Sequence, residues 1–199
     1  LHYASLANQV AVALRLLQLA NLQLNAKNYV GNTPLLSAIL NNSPGIVNIL
    51  LTPVNVERGL DINTANNDRF SPIALAIIAN DVPLLNRLLQ LRAYVGFILP
   101  DATALQYAVA HQKEAIVERL LQIPALDVNQ KNPKGETALM AAASIGNLNI
   151  ARQLIARGAL VGLQDNDGAT AIDFAKASES PQKKAMIRLL EQAKKIQRR

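Results

Sequence analysis

Apolar residues along this chain keep a helical spacing that restarts about every 33 residues. Val10, Leu14 and Leu17, with Val12 and Leu16 beside them, recur at three- and four-residue steps, which predicts a helix with one buried side. Shorter segments rich in small residues open on a hydroxyl: Thr33-Pro34, Ser71-Pro72, Thr103, Thr137 and Thr170. A hydroxyl just ahead of an apolar run can cap a helix, and a proline in the first turn loses no needed hydrogen bond. These caps stand 38, 32, 34 and 33 residues apart, and a further copy without its cap opens the chain at Leu1-His2-Tyr3-Ala4.

The register inside the copies is strict. Alanine stands five residues after every cap position: Ala4, Ala38, Ala76, Ala108, Ala142 and Ala175. Two residues after it comes Leu or Ile: Leu1, Leu35, Ile73, Leu105, Leu139 and Ile172. An aliphatic pair follows at Leu16-Leu17, Leu50-Leu51, Leu88-Leu89, Leu120-Leu121 and Leu154-Ile155, and two residues late at Leu189-Leu190. Alanine at a fixed helical position lets two helices approach closely, while the pairs fill the layer between units. One such unit cannot bury its face alone, but stacked neighbours can.

The residues Gly31-Asn32-Thr33-Pro34-Leu35, Leu1-His2-Tyr3-Ala4 and Asp165-Asn166-Asp167-Gly168-Ala169-Thr170 resemble the ankyrin repeat. The resemblance covers essentially the whole chain. It implies an all-α fold, an ankyrin-like solenoid of stacked helix pairs with short β-hairpin fingers. The units run over residues 1–27, 28–65, 66–96, 97–131, 132–164 and 165–199, in a single domain 1–199 with one aliphatic core.

Composition narrows the chemistry. Aromatic residues make up 4% of the chain, so the expected core is aliphatic. Cysteine is absent, which removes disulfides, thiol catalysis and cysteine metal sites. No apolar run approaches the roughly 20 residues of a membrane span. Leu1 falls inside a repeat and no signal peptide is visible, so the expectation is that upstream residues have been removed. Residues 1–180 carry 13 basic and 13 acidic side chains; residues 181–199 carry seven basic ones and Glu191, so the net +6 sits on the last 19 residues.

Several positions have expected local roles. His2 occupies the family's histidine position, where the ring braces neighbouring turns. Tyr3, Tyr107 and Phe174 share one register position and are expected in the core, whereas His111 is expected to be solvated. The stretch Thr52 to Gly59 is an insertion expected as a surface loop. Arg69 and Asp101 stand where a turn glycine is usual, which predicts bent fingers. Gly158 suits a left-handed helix stop. Ser180-Pro181 suits the start of a final helix whose apolar side holds Met186, Leu189, Leu190, Ala193 and Ile196.

No phosphate-binding glycine loop, zinc-protease pair or calcium loop is present, and the two histidines lie 109 residues apart. Asp165 and Asp167 lack the further oxygen ligands that a cation needs. The chain therefore reads as non-catalytic, with no cofactor and no metal. The resemblance implies protein–protein interaction, as a scaffold, an inhibitor or a secreted bacterial effector. The expected docking surface is the concave face of finger tips and first helices. It comprises Tyr29, Val30, Asn32, Leu40, Asn67, Asp68, Arg69, Phe70, Ile78, Leu99 and His111, because apolar and aromatic side chains cluster there. The chain is expected to be a monomer, cytoplasmic or delivered into a host cytosol, with a protein partner. The alternative is a recruiting segment of a larger enzyme. A third reading, nucleic acid or anionic membrane on the basic C-terminal helix, is weakened by the lack of aromatic residues there.

Overall fold

The structure is a computed structural model; it describes residues 1–95, 98–99 and 101–197, Ile98 and Leu99 by backbone alone. It divides into two compact units, Leu1–Val95 and Gly96–Arg199.

In the N-terminal unit the helices are α1 (His2–Leu6), α2 (Val10–Leu17), α3 (Pro34–Leu40), α4 (Pro44–Leu50), α5 (Pro53–Glu57), α6 (Pro72–Ile78) and α7 (Val82–Gln90). First helices form one row, α1 on α3 and α3 on α6, and α2 packs on α4 behind them. Thr33 and Ser71 cap as their spacing predicts, each hydroxyl accepting from a backbone N–H three residues on. Asp81 caps α7 through its bond from Leu84 N.

The C-terminal unit holds strands β1 (Ile98–Leu99) and β2 (Ala102–Thr103), then α8 (Ala104–Ala110), α9 (Glu114–Leu121), α10 (Ala138–Ile145), α11 (Leu148–Ala156), α12 (Ala171–Ala177) and α13 (Lys183–Gln197). Here too α8, α10 and α12 form one row and α9, α11 and α13 the other. Thr103 and Gln106 cap each other reciprocally, Gln106 N to Thr103 Oγ1 and Thr103 N to Gln106 Oε1.

All six register alanines are buried to 2% exposure or less, as their spacing requires. In each copy at least one member of the aliphatic pair is buried too. A larger side chain at an alanine would have to displace the neighbouring helix.

Four expectations need correction. Tyr3 is 86% exposed, while Tyr107 and Phe174 are half-buried, so none of the three is core. The same position is buried where it holds Ser37 or Leu75, so the neighbouring copies and not the register alone decide its cover. Ile196 is 72% exposed on the last turn of α13.

The fingers, thirdly, are mostly not strand pairs: among the described residues only β1 and β2 form an antiparallel ladder, with one isolated bridge between Gln164 and Thr170. The others are closed by an Asn or Asp five residues before the cap. Asn28 Oδ1 accepts from Val30 N and Asn32 N; Asn132 Oδ1 from Lys134 N and Glu136 N; Asp165 Oδ1 from Asp167 N and Ala169 N. A side-chain turn of this kind satisfies the backbone donors that a ladder would otherwise take.

Finally, the insertion is a helical turn rather than a loop. Thr52 caps α5, and the buried Asn55 donates to Ile49 O and Leu50 O, closing the end of α4. Arg58 then reaches back to Leu17 O and Leu19 O.

Candidate protein-binding face

In the N-terminal unit the fingers of the second and third copies are joined edge to edge. Asn67 N donates to Val30 O at 3.2 Å, Asn67 Nδ2 to Tyr29 O, and Asn66 Nδ2 to Asn32 Oδ1. Gly31, at φ +78°, makes this approach possible, since a Cβ there would lie 2.8 Å from Asn67 N. His2 Nε2 donates to Asn32 O at 2.9 Å, the bracing role its position implied. Asn32 and Asn67 are therefore tied into the frame. The frame displays Tyr29, 93% exposed, with Asp68 and Arg69 also exposed at the tips. Val30, Phe70 and Ile78 are half-buried, and Leu40, at the end of α3, is 48% exposed.

Arg69 sits in the left-handed region at φ +67°, the conformation that glycine takes at Gly31 and Gly135. For a residue with a Cβ this conformation costs about 1–2 kcal/mol. Tyr3 and Leu6 add exposed apolar surface on the first helix. Position in the register, four and seven residues after the missing cap, was the signal that could have assigned them to this side.

Leu99 and His111 belong to the C-terminal unit. Leu99 pairs through its backbone with Ala102, and its side chain lies outside the described residues. His111 is exposed, as expected, but its ring lies against Tyr107, with centroids 4.2 Å apart and planes inclined by 38°. Both rings line a groove of about 370 Å³ between the fingers and first helices of this unit, floored by Ala141 and Ser144 and closed by Phe174. A cleft of about 470 Å³ in the N-terminal unit lies instead between α4 and α7. Its charged side chains are committed to their own backbone, Arg87 to Leu51 O and Asp81 to Leu84 N. The groove beside the fingers is the better site.

Two carboxylates are held below the usual range. At Asp61 burial opposes the shift, but the Thr64 hydroxyl, the Asn63 and Thr64 amides and the Lys27 charge outweigh it. At Asp173 the Thr170 hydroxyl and amide lower it, helped by Lys176 and Lys194. Both are held by turn or cap hydrogen bonds rather than by a reaction centre. Among the described residues no group of three His, Cys, Asp or Glu side chains could hold a metal ion. Nor is any helix of these residues long and apolar enough to cross a membrane.

The family described as "Ankyrin repeats (3 copies)" matches residues 105–199. The crystal structure of an ankyrin repeat domain from Acinetobacter baumannii AYE superposes with a TM-score of 0.83 at 25% identity, over 96% of this chain and 96% of that one. Residues 105–199 are ankyrin repeats, and the whole chain shares the fold of an ankyrin repeat domain. A chain in the structure of the predatory endopeptidase Bd0816 from Bdellovibrio bacteriovorus in complex with immunity protein Bd3460 matches with a TM-score of 0.71 and 25% identity, over 96% of both chains. Among curated proteins, the rice (Oryza sativa subsp. indica) "BTB/POZ domain and ankyrin repeat-containing protein NPR1" is 33% identical over 111 residues, 49% of this chain. The match spans only 19% of that protein's length. Ankyrin repeats are protein–protein interaction modules, and the all-α stacked architecture expected from the register is the one observed.

Proposed function

We propose that this chain is a non-catalytic recognition module that grips a protein partner with its finger tips and the exposed sides of its first helices. One observation carries the reading: exposed Tyr29 and half-buried Phe70 stand on fingers cross-linked by hydrogen bonds from Asn66 and Asn67, with exposed Leu40 at the end of α3. Aromatic anchors on a rigid frame dominate binding energy because little entropy is lost on docking. Tyr29, Leu40, Asp68, Arg69 and Phe70 make the contact, Asn32 and Asn67 hold the frame, and Val30 and Ile78 fill beneath. The module works as a monomer in a cytosolic compartment. Its role is that of a protein inhibitor; the likeness to a chain of an endopeptidase–immunity protein complex supports this over a scaffold or an effector.

The test is affinity capture from lysate with the intact protein, repeated with Tyr29→Ala and Phe70→Ala. Each substitution is expected to weaken the captured interaction by about 1–2 kcal/mol while the melting curve stays unchanged. Full-strength capture by a folded double variant rules the face out. A second reading, a recruiting segment of a larger protein, is supported by the small share of the rice protein that the match spans. A longer reading frame with an enzymatic domain would establish it.

A further inference from the structure

Within the C-terminal unit the groove between fingers and first helices has a composition of its own. Tyr107 and Phe174 stand on α8 and α12, with Ala141 and Ser144 between them on α10, so two rings flank a floor of small residues. His111 against Tyr107 fixes the phenol ring's tilt. Around the rim stand Asp101, Glu136 and Lys134, two carboxylates against one ammonium. Among the described residues the one ion pair is Lys176–Asp173, so neither rim carboxylate has a described cation within 4.0 Å. Glu136 is held in place: Asn132 Nδ2 donates to its Oε2 at 2.8 Å, and Gln106 Nε2 donates to its backbone carbonyl. Asn132 Nδ2 also reaches Asp101 O at 3.2 Å, which fixes the two fingers side by side.

We propose that this groove receives an arginine side chain from an extended segment of a protein partner. The proposal rests on the reading of the chain as a protein-binding module and names what one part of it recognises. A guanidinium is planar and always charged. It can lie on an aromatic ring and fork its N–H donors to a carboxylate, and an ammonium matches that pair of contacts less well. The fixed Glu136 carboxylate and the braced Tyr107 ring supply both halves. The small floor admits a long, thin side chain, and about 370 Å³ leaves room for the arginine and its neighbours.

The probes are three short acetylated, amidated peptides, with a central arginine, citrulline or glutamate, titrated into the full chain to about 10 mM and followed by amide shifts in ¹H–¹⁵N NMR. The arginine peptide is expected to shift Tyr107, Glu136 and their neighbours, and citrulline to bind about fivefold or more weakly. Glu136→Gln keeps an oxygen for Asn132 and is expected to cost a similar factor. Tyr107→Leu is the second variant, with thermal melts confirming that both fold. No shifts in the groove, equal binding of citrulline, or preferential binding of glutamate through Lys134 overturns the proposal. Partner capture that needs Tyr29 but ignores Glu136→Gln would overturn this groove alone, leaving the wider reading intact. Groove binding without any capture would do the reverse.

Discussion

Asparagine carries much of this structure, residue by residue. Asn8, Asn42 and Asn80 adopt positive φ in the turn between first and second helices, where Gly146 stands in the fifth copy. Asparagine tolerates that region better than other residues with a Cβ. Asn25, Asn63 and Asn129 accept from Asp61 N, Tyr94 N and Leu160 N of the next copy. The Asn-rich composition thus belongs to the frame. It could not be read as such from the sequence, because hydropathy assigns these positions only to loops. Arg69, Arg92 and Gln112 are the exceptions, left-handed residues that are neither glycine nor asparagine. Arg69→Gly is expected to stabilise the protein by up to about 1 kcal/mol in urea unfolding. Gly31→Ala should cost about 1 kcal/mol or more, since its Cβ would strike Asn67 N. Asp61 gives a pH signature. Its folded pKa is depressed, so its contribution to stability is complete above the unfolded value of about 3.9 and fades as pH falls through the folded value. Asp61→Asn should therefore lower stability at neutral pH and change it little below the folded value, which flattens the acid limb of a stability-against-pH curve.

Between elements, the sequence was most informative about packing and least about ties. The alanine register located the helix–helix contacts because a small residue is the only solution at close approach. Ala108→Leu is expected to lower stability by about 1–3 kcal/mol through overpacking; an unchanged melt would show that the layer is looser than its burial indicates. Hidden from the sequence were the guanidinium ties. Arg58 reaches Leu17 O, Arg87 reaches Leu51 O, and Arg157 reaches Leu121 O, Ile123 O and Pro124 O. Each satisfies carbonyls at the end of the preceding copy's second helix, groups left without an intrahelical backbone partner. Charge near a helix end gave no hint of which partner it would find. Asn55 does similar work from inside the insertion. Asn55→Ala leaves the Ile49 and Leu50 carbonyls without this donor and should cost about 1–3 kcal/mol.

For the whole molecule, the candidate face was legible only in outline. Spacing put Tyr29 and Phe70 on fingers, but whether a ring at the Tyr3 or Tyr107 position is covered depends on what the neighbouring copies place beside it. The proposal of a single domain over residues 1–199 predicts one unfolding transition by circular dichroism and calorimetry; two resolved transitions would show that Leu1–Val95 and Gly96–Arg199 melt separately. Deleting residues 181–199 removes Met186 and Leu190, both buried, and is expected to lower the melting temperature or cause aggregation.

The ties inside both units run mainly from amides and guanidinium groups to carbonyl oxygens, and the one described ion pair, Lys176–Asp173, is half exposed. Apart from these guanidinium ties, exposed acidic and basic side chains are thus largely released from pairing with one another. The surface can change its electrostatic character through successive generations while the scaffold beneath stays the same, so specificity can be rewritten at the finger tips at little structural risk.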